Sequence, residues 1–440
     1  MSAADQLKDA MEQPAELPFS EDDLASRFST EHVDTLRYVA KWSRWFEWDG
    51  QRWREDETVH VFDLVRTHCR AIAAGCNEGG KGLVRANTIA AVERMARADR
   101  RHALTADAWD VDPWLLNTPA GTVDLRTGSM QPHNPGHYIT KMTAVAPGGT
   151  CPAWHTFLRR VTDQDQELEA FLQRMVGYCL TGSTREHALF FIFGLGANGK
   201  SVFCNTVSRI MADYHRTVPT EVFMKSRQDR HPTELASLQG ARLVTCVETE
   251  ENRRWAESRI KALTGGDPIA ARYMRQDFFE FQPIFKLAVI GNYRPTLRVV
   301  DEAIRRRFNL VPFAVTIPKA ERDPDLADKL KEEWPGILAW AVKGAAEWFS
   351  SGLRPPQAVR DATSDYLSGE DLMASWIADR CDTEPAAKAK SSVLYHSFRE
   401  WCEAAGERPG SQKAFSQTLE GHGYDKKHER TGWHFYGLKL

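Results

Sequence analysis

The spacing of apolar and polar residues near the N-terminus predicts a helix after an unstructured start. Ser20 and Asp23 resemble a capping box, and the residues that follow predict a helix that continues to Lys41. Residues 1–19 mix acidic and polar residues with prolines and show no periodicity, so we expect a disordered tail there. The tail lacks the basic and then apolar pattern of a secretory signal, so we expect no such signal there.

A run of aromatic residues then changes the period from helix to strand. Trp45–Trp48 and Gln51–Arg54 flank Asp49-Gly50, a dipeptide that readily takes positive φ values, and this pattern predicts a hairpin with a two-residue turn. Tryptophans on a hairpin are more typical of a core than of a base-stacking platform. The periodicity further predicts helices at 61–74 and 88–98 and a strand-turn-strand pattern at 113–130.

Glycine and proline clusters mark the expected boundaries between segments. A Gly/Pro-rich stretch at 146–149 ends the first α/β pattern, and Pro355-Pro356 follows a long apolar helical stripe. The predicted segments are a tail (1–19), an N-terminal α/β domain (20–150), a helical connector for oligomerisation (151–185), an α/β core (186–318), a helical segment (319–358) and a C-terminal domain of helices and strands (359–440).

Composition narrows the class of protein. Of the 440 residues, 42% are apolar and 27% charged, which is typical of a globular protein, and no run approaches the roughly 18 uncharged apolar residues that a membrane span needs. The net charge is −3, so contacts with nucleic acid must come from local basic patches. The eight cysteines lack metal-ligand spacing, and we expect reduced thiols in a cytoplasmic protein without a membrane partner.

The strongest chemical signal is a glycine-rich loop between an apolar strand and a helix. The sequence GLGANGKS follows the apolar run 188–193 and fits the phosphate-binding pattern G-x-x-x-x-G-K-[ST]. Its glycines let backbone N–H groups surround phosphates, the lysine would reach the β- and γ-phosphates, and the serine hydroxyl would bind Mg²⁺. We therefore expect ATP and Mg²⁺ as cofactors, held by Gly194, Gly196, Asn198, Gly199, Lys200 and Ser201.

Phosphate hydrolysis also needs an acid for the metal and a group that orients water, and two later strands end in suitable residues. The apolar run that begins at Arg242 ends in Glu248, with Glu250 two positions on. The run that begins at Lys286 ends in Gly291-Asn292. We expect Glu248 to serve the metal and the Asn292 amide to position water or to sense the γ-phosphate.

Three consecutive arginines follow these strands. Arg305, Arg306 and Arg307 cannot all face one way, so at least one is available to the nucleotide of a neighbouring subunit. Such a cation supplied in trans is an arginine finger, which stabilises the charge that develops during phosphoryl transfer.

The order of these motifs resembles superfamily 3 helicases, and more closely the helicase part of phage and plasmid primase-helicases and the related poxvirus primase-helicase. The resemblance extends upstream through 116–128, covers most of residues 30–440, and rests on GLGANGKS, residues 248–251, 263–267, Gly291-Asn292, and 301–307 with Pro312-Phe313.

This resemblance implies an α/β fold with an AAA+-like P-loop ATPase core, an α/β N-terminal domain, a helical connector and a C-terminal winged helix. It implies a homo-hexameric ring with ATP between subunits and single-stranded DNA in the central channel. It assigns Lys200 and Ser201 to phosphate and Mg²⁺, Glu248 to the Walker B acid and Asn292 to sensor 1. Either Arg306 or Arg307 would be the finger, while Arg305 stands where the family often has an aromatic residue.

Two regions are expected to contact DNA. The family has a β-hairpin that projects into the channel, and here its arms are Ile269–Met274 and Phe278–Phe281, with Arg275 near the tip and Arg272 as a second phosphate contact. Residues 385–440 carry nine Lys/Arg against six Asp/Glu and have the pattern of a winged helix, which binds either DNA or protein. Its expected phosphate contacts are Lys413 on the recognition helix and Lys426, Lys427 and Arg430 on the wing.

These observations predict an ATP-dependent, ring-forming DNA helicase for phage, prophage or plasmid replication in the cytoplasm of a bacterial host. Its expected partners are single-stranded and forked DNA, further copies of itself, and a separate primase or polymerase. Two alternatives stay open: an ATP-dependent DNA-binding initiator or defence switch that does not unwind, and a P-loop phosphotransferase that acts on a small acceptor. Strand displacement tests the first, and ATP turnover by a monomer that ignores DNA would indicate the second.

Overall fold

The computed structural model describes residues 19–76, 80–225, 233–248, 254–274, 277–297, 300–407 and 409–440, with Glu248 and Glu370 described by their backbone only. The tail predicted at 1–19 therefore lies almost entirely outside the described residues. The chain divides into one compact unit of Met1–Val123 with Met130–Met142 and a second of Asp124–Ser129 with Thr143–Leu440. Within the described residues, no helix combines the length and apolar character needed to cross a membrane.

The first unit combines helices with short antiparallel strands. Its core joins apolar residues of the helices to Leu36, Tyr38 and Trp45. The elements in this part of the chain are α1 (Glu21–Glu31), β1 (Leu36–Val39), β2 (Arg44–Trp48), β3 (Trp53–Glu55), α2 (His60–Ala74), α3 (Gly80–Leu83), α4 (Ala86–Ala98), β4 (Leu115–Thr118), β5 (Gly121–Asp124) and β6 (Ser129–Gln131).

Two local predictions for this unit need correction. The Ser20 hydroxyl caps α1 as expected, accepting the Asp23 N–H at 3.1 Å, but the helix ends at Glu31 instead of reaching Lys41. The chain reverses there because β1 pairs with β2 in an antiparallel ladder. The hairpin turn is shifted by one residue, since Asp49 donates to the Arg52 carbonyl at 3.0 Å and leaves Gly50 and Gln51 as the two turn residues. Trp45 and Trp53 are buried, as the core interpretation predicts.

The second unit is built around a five-stranded parallel sheet of β7 (Leu189–Phe193), β8 (His215–Thr217), β9 (Leu243–Glu248), β12 (Lys286–Gly291) and β13 (Phe308–Pro312), in the order β13-β7-β12-β9-β8. Its central strands are apolar on both faces, as expected for a sheet covered on both sides. All eight cysteines of the chain are free thiols and none is exposed. The elements up to the last sheet strand are α5 (Pro152–Val161), α6 (Gln166–Leu180), β7 (Leu189–Phe193), α7 (Lys200–Met211), β8 (His215–Thr217), α8 (Thr233–Ala236), β9 (Leu243–Glu248), α9 (Glu257–Gly265), β10 (Ile269–Ala271), β11 (Phe279–Phe281), β12 (Lys286–Gly291), α10 (Glu302–Arg305) and β13 (Phe308–Pro312).

The remaining helices extend this unit and lead to a small C-terminal layer. The elements are α11 (Leu326–Glu332), α12 (Trp334–Ser351), α13 (Gln357–Glu370), α14 (Leu372–Arg380), β14 (Lys388–Lys390), α15 (Ser391–Ala404), α16 (Gln412–Gly421), β15 (Lys426–Glu429) and β16 (Gly432–Tyr436). From α14 onward the chain has its own apolar cluster around Trp376, Phe415 and Phe435. Its antiparallel sheet has the order β14-β16-β15, in which β14 is a strand that the sequence pattern did not predict.

Two long helices, α6 and α12, cross at glycines. A Cβ on Gly177 would overlap the backbone of Gly344 and Ala345, so the close approach of the helices requires glycine there. Rings on both helices extend the contact, with the Tyr178 and Trp348 centroids 4.4 Å apart.

Substituting Gly177 by alanine should therefore destabilise the second unit by about 3 kcal/mol or more, because one of two packed backbones must move. The matched control is Gly369→Ala, at an exposed helical position with nothing within 4 Å of an added Cβ. That variant should be neutral or stabilised by up to about 1 kcal/mol. Urea unfolding of both variants checks this, and equal midpoints would contradict the packing argument.

Candidate functional site

The three candidate strand ends meet at one edge of the parallel sheet. β12 lies between β7 and β9, and Gly291 pairs in register with Phe193 on one side and with Glu248 on the other. The chain therefore leaves the three strands at the same level of the sheet: at Gly194, at Asn292 and just beyond Glu248. In open α/β sheets this carboxyl edge is where ligands bind.

The glycine-rich loop is shaped by contacts that exclude other residues. Gly199 has φ 84° at the start of α7, and a Cβ there would also lie 2.6 Å from Val161 Cγ1 and 2.8 Å from Phe157 Cε2. A Cβ on Gly194 would collide with Asn198 and with the Phe313 carbonyl. The loop is thus fixed between β7, α5 and the end of β13.

The Lys200 side chain lies at this carboxyl edge and contacts residues that follow two of the strands, Gly194 and Asn292. Its Nζ donates to the Gly194 carbonyl at 2.6 Å, to Asn198 Oδ1 at 3.1 Å and to Asn292 Oδ1 at 3.0 Å. The residue is only 5% exposed, and burial lowers the pKa of its ammonium. The predicted lysine and the predicted amide, 92 positions apart in sequence, are thus in direct contact.

The acceptors around Lys200 are all neutral. Among the side chains that the structure describes, no carboxylate lies within ion-pair distance of its ammonium, although a buried cation is normally paired with an anion. The first turn of α7 starts at the same residue, so unpaired backbone N–H groups and a helix dipole add positive potential there. The arrangement is suited to an anionic ligand.

The other predicted loop residues surround this lysine. The buried Asn198 donates through Nδ2 to the Phe313 carbonyl at 2.9 Å, which holds its Oδ1 toward Lys200. Ser201 is exposed in the first turn of α7, and Gly196 is unobstructed. Glu248 is the last residue of β9, beside Gly291, as the sequence pattern predicts.

The three consecutive arginines take three different positions. Arg307 is buried, and it donates to Thr264 Oγ1 at 3.1 Å and to the Ala303 carbonyl at 2.7 Å. Arg305 donates to Asp371 Oδ2 at 2.9 Å. Arg306 is exposed, and within the described part of the chain its guanidinium has no hydrogen-bond or ion-pair partner, although its backbone N–H donates to the Glu302 carbonyl at 3.1 Å. Of the two candidates for the finger, Arg307 has its guanidinium hydrogen-bonded within this chain, whereas the Arg306 guanidinium is exposed.

Sequence reasoning missed the groups that hold this segment. Asp301 caps α10 by accepting the Ile304 N–H at 2.9 Å and forms an ion pair with Lys261. Arg294, two residues after Asn292, lies 4.2 Å from the centre of the Phe193 ring, next to the glycine loop. The Asp301 cap is a local i,i+3 contact, whereas the Asp301–Lys261 and Arg294–Phe193 contacts join residues from separate elements, so no local pattern predicts those two.

The expected hairpin is present as β10 and β11, paired in antiparallel register. Arg272 is half-buried, with its guanidinium 5.0 Å from the centre of the exposed Phe278 ring. Arg275, the other expected DNA contact here, lies outside the described residues. The exposed tip region also includes Met274.

The C-terminal basic residues are distributed over a helix and a hairpin. Lys413 is exposed at the start of α16, and Arg430 is exposed in the turn between β15 and β16. Lys427 is also exposed, whereas Lys426 lies 3.7 Å from Glu420 and 5.0 Å from the Trp433 ring centre. Three of these four expected contacts are therefore accessible without breaking an ion pair.

Comparison with known proteins assigns families to most of the chain. Residues 25–163 match the family described as D5 N terminal like, 192–307 match a family of unknown function, and 368–436 match the family described as Poxvirus D5 protein-like.

Among relatives, a protein of Acanthamoeba polyphaga mimivirus named "Putative helicase" is 24% identical over 319 residues, which is 66% of this chain and 33% of that protein. The fowlpox virus protein named "Primase D5" is 25% identical over 159 residues, 34% of this chain and 20% of that protein. The chain thus spans about a third or less of the length of the curated relatives it matches.

A solved structure has the same fold over nearly the whole chain. The C-terminal region of NrS-1, in its apo form, matches with a TM-score of 0.53 and 9% identity and covers 96% of this chain and 100% of that one. The predicted mixed α/β fold with a parallel sheet is confirmed. The two D5-type family matches and the named relatives support a D5-like primase-helicase family of the superfamily 3 type for this chain.

Proposed function

We propose that this chain is an ATP-driven DNA helicase whose copies form a ring and share each nucleotide site between neighbours. The observation that carries the proposal is the buried Lys200 ammonium, which donates to three neutral oxygen atoms at the N-terminus of α7. Such a cation gains most from a phosphate, which would replace weak neutral acceptors by a charge-assisted contact. The names of the relatives, helicases and a primase, support nucleic acid as the other substrate.

The residues at the sheet edge suit ATP and Mg²⁺. ATP with Mg²⁺ would supply the transferable phosphoryl group and a second positive charge. Lys200 would bind the β- and γ-phosphates, the loop N–H groups would orient them, and Ser201 would contribute its hydroxyl to the metal. Mg²⁺ would keep several waters and phosphate oxygens as its other ligands.

Asn292 and Glu248 would complete the chemistry within one subunit. Asn292 Oδ1 lies 3.0 Å from Lys200 Nζ, so a γ-phosphate held by Lys200 would be within reach of the same amide. Glu248 ends the neighbouring strand and is proposed as the acid that serves the metal and the attacking water. These residues would orient the phosphates and the attacking water and stabilise the charge that develops. None of them would form a covalent bond to the substrate.

Arg306 is proposed as the cation supplied in trans. Its guanidinium is exposed and has no partner among the described residues, whereas the Arg307 side chain is buried and hydrogen-bonded to Thr264 and Ala303. A guanidinium from the neighbour stabilises the charge of the transition state and makes hydrolysis depend on assembly.

The proposed DNA contacts lie on two surfaces. Arg272, which follows β10, and Arg275, three positions further along the sequence, would bind phosphates in the ring channel, and nucleotide-driven movement of the β10–β11 hairpin would pull the strand. The C-terminal layer is proposed as a winged helix, with Lys413, Lys426, Lys427 and Arg430 as phosphate contacts. The segment 151–185 is proposed to support oligomerisation, and a separate primase or polymerase is the proposed partner at the fork.

The decisive test is strand displacement on a labelled forked duplex. With ATP and Mg²⁺, the wild-type protein should release the labelled strand from a fork but not from a blunt duplex of the same sequence, because a ring must first thread a free strand. The fork should also raise ATP hydrolysis about fivefold or more, measured together with particle size by light scattering.

Other outcomes separate the alternatives. DNA-stimulated hydrolysis by a ring without strand displacement would indicate a switch or initiator instead of a helicase. ATP turnover by a monomer, unchanged by either DNA, would contradict both and indicate a phosphotransferase.

A further inference from the structure

A single buried carboxylate joins two distant parts of the second unit. Asp371 is 4% exposed, and its Oδ2 accepts from Arg305 Nη2 at 2.9 Å. Its Oδ1 lies 3.2 Å from His422 Nε2. Arg305 is the last residue of α10, and His422 is the residue that follows α16, so Asp371 connects the arginine segment to the C-terminal layer.

Asp371 also stands at the junction between two packed bodies. Before it, α13 packs on the sheet: the Thr363 hydroxyl accepts the Leu310 N–H of β13 at 2.9 Å. After it, α14 contributes Met373 and Trp376 to the C-terminal apolar cluster. Asp371 caps this helix by accepting the Ala374 N–H at 3.1 Å. It is therefore fixed to the first turn of the C-terminal layer.

The carboxylate is held in its charged form. Burial acts to raise the pKa of Asp371, but the hydrogen bonds from His422 and from the Ala374 N–H, with the charge of Arg305, outweigh it, and the pKa lies below its ordinary value. A buried carboxylate with this many donors favours one geometry strongly, because breaking any of the contacts leaves a charge poorly paired.

The arginine segment, which lies on the other side of the Asp371–Arg305 contact, has little rigidity of its own. α10 spans only Glu302–Arg305, and so short a helix is stable only through its anchors. One anchor is Asp301 with Lys261 at its start, and the other is Arg305 with Asp371 at its end. Arg306 follows directly, so the second anchor determines where the proposed finger lies.

We propose that Asp371 is a positioning residue that couples DNA bound by the C-terminal layer to the placement of Arg306 at the neighbour's nucleotide. The inference rests on the proposed function and specifies how that site is regulated. When the C-terminal layer shifts on DNA, Asp371 moves with α14, and Arg305 and the adjoining Arg306 move with Asp371. ATP hydrolysis thereby responds to DNA that is bound by the C-terminal layer and does not contact the nucleotide.

The test compares Asp371→Asn with the wild-type full-length chain. Stimulation of ATP hydrolysis by a forked oligonucleotide, given as the ratio of kcat with and without DNA, should fall about fivefold or more in the variant. The KM for ATP and the affinity for the fork, measured by fluorescence anisotropy, should stay within about twofold, because neither Lys200 nor the basic residues change. Asp365→Asn, an exposed carboxylate on α13, is the matched control and should retain full stimulation.

A second variant keeps the proposal testable if Asp371→Asn folds poorly. Arg305→Met removes the partner from the half-exposed side, where its own side chain is 40% exposed, and should lose stimulation to the same extent. The double variant should lose no more stimulation than either single change, since both changes break the same Asp371–Arg305 contact. Full stimulation in Arg305→Met, or a loss of DNA affinity that accounts for the whole effect, would overturn the coupling.

If the wild-type protein hydrolyses ATP without any response to DNA, the proposed function fails as well. Stimulation of wild type and both variants alike refutes the coupling only.

Discussion

Replacing Lys200 by alanine should lower the rate of ATP hydrolysis by about 100-fold or more, the scale of losing one preorganised charged donor at a reacting phosphate. The ammonium is 5% exposed, and its acceptors are a backbone carbonyl and the amides of Asn198 and Asn292. Alanine removes the charge that would neutralise the phosphates in both the ground state and the transition state, so the KM for ATP should rise while kcat falls. Steady-state hydrolysis and calorimetric nucleotide binding measure both effects.

The fold should survive this substitution, which separates loss of function from loss of structure. A buried lysine among neutral acceptors is costly to desolvate, as the lowered pKa of Lys200 indicates. Its removal should therefore leave the unfolding midpoint unchanged or higher. Lys343→Ala, at an exposed position of α12, is the matched control and should hydrolyse ATP normally. A folded Lys200→Ala protein with wild-type turnover would refute the assignment of the glycine loop.

Sequence alone could predict the site where its features are contiguous. The strand, the glycine loop and the lysine at the helix start are neighbours in the chain, and β7 and α7 occur where GLGANGKS predicts them. Asn292 could be predicted because parallel strands end at one edge, although the strand order that brings it to Lys200 could not. Hydrophobic patterns define strands, whereas their order depends on contacts between distant segments.

The errors near the N-terminus have the same cause. The helix predicted to reach Lys41 ends at Glu31, because Leu36–Val39 forms a ladder with β2 that the local spacing does not encode. β14 was missed for a related reason. Its three residues, Lys388, Ala389 and Lys390, contain a single small apolar side chain and form a strand by pairing with β16. Tertiary pairing overrides local propensity at such short strands.

The three consecutive arginines show most clearly which contacts cannot be predicted from the sequence. Adjacent positions on a tight turn must point apart, which the sequence does predict. Which arginine stays free depends on Thr264 and Asp371, which lie 43 and 66 positions away from their arginine partners. A single sequence carries no signal for pairs at such separations, so the choice between Arg306 and Arg307 required the folded chain.

Arg306→Ala should lower ATP hydrolysis by about a thousandfold, the lower end of what an arginine finger contributes, with little change in nucleotide affinity. The reason is that the Arg306 guanidinium has no partner among the described residues of its own chain and would act only on the neighbour's transition state. Arg306→Lys should recover part of the loss, since a point charge replaces the guanidinium fork. Arg209→Ala, an exposed arginine on α7, is the control and should be active. Steady-state hydrolysis at protein concentrations that permit assembly measures all three.

Mixing inactive proteins tests the trans geometry itself. In an equal mixture of Lys200→Ala and Arg306→Ala, about a quarter of the interfaces in a randomly assembled ring join an intact Lys200 to an intact Arg306. Hydrolysis should therefore reappear in the mixture, although neither protein is active alone, and it should vanish on dilution below the concentration that supports rings. Adding Lys200→Ala to itself gives no such interface and serves as the blank. A mixture that co-assembles but stays inactive, or an Arg306→Ala protein as active as wild type, would show that the cation comes from the same subunit as the lysine or is not needed.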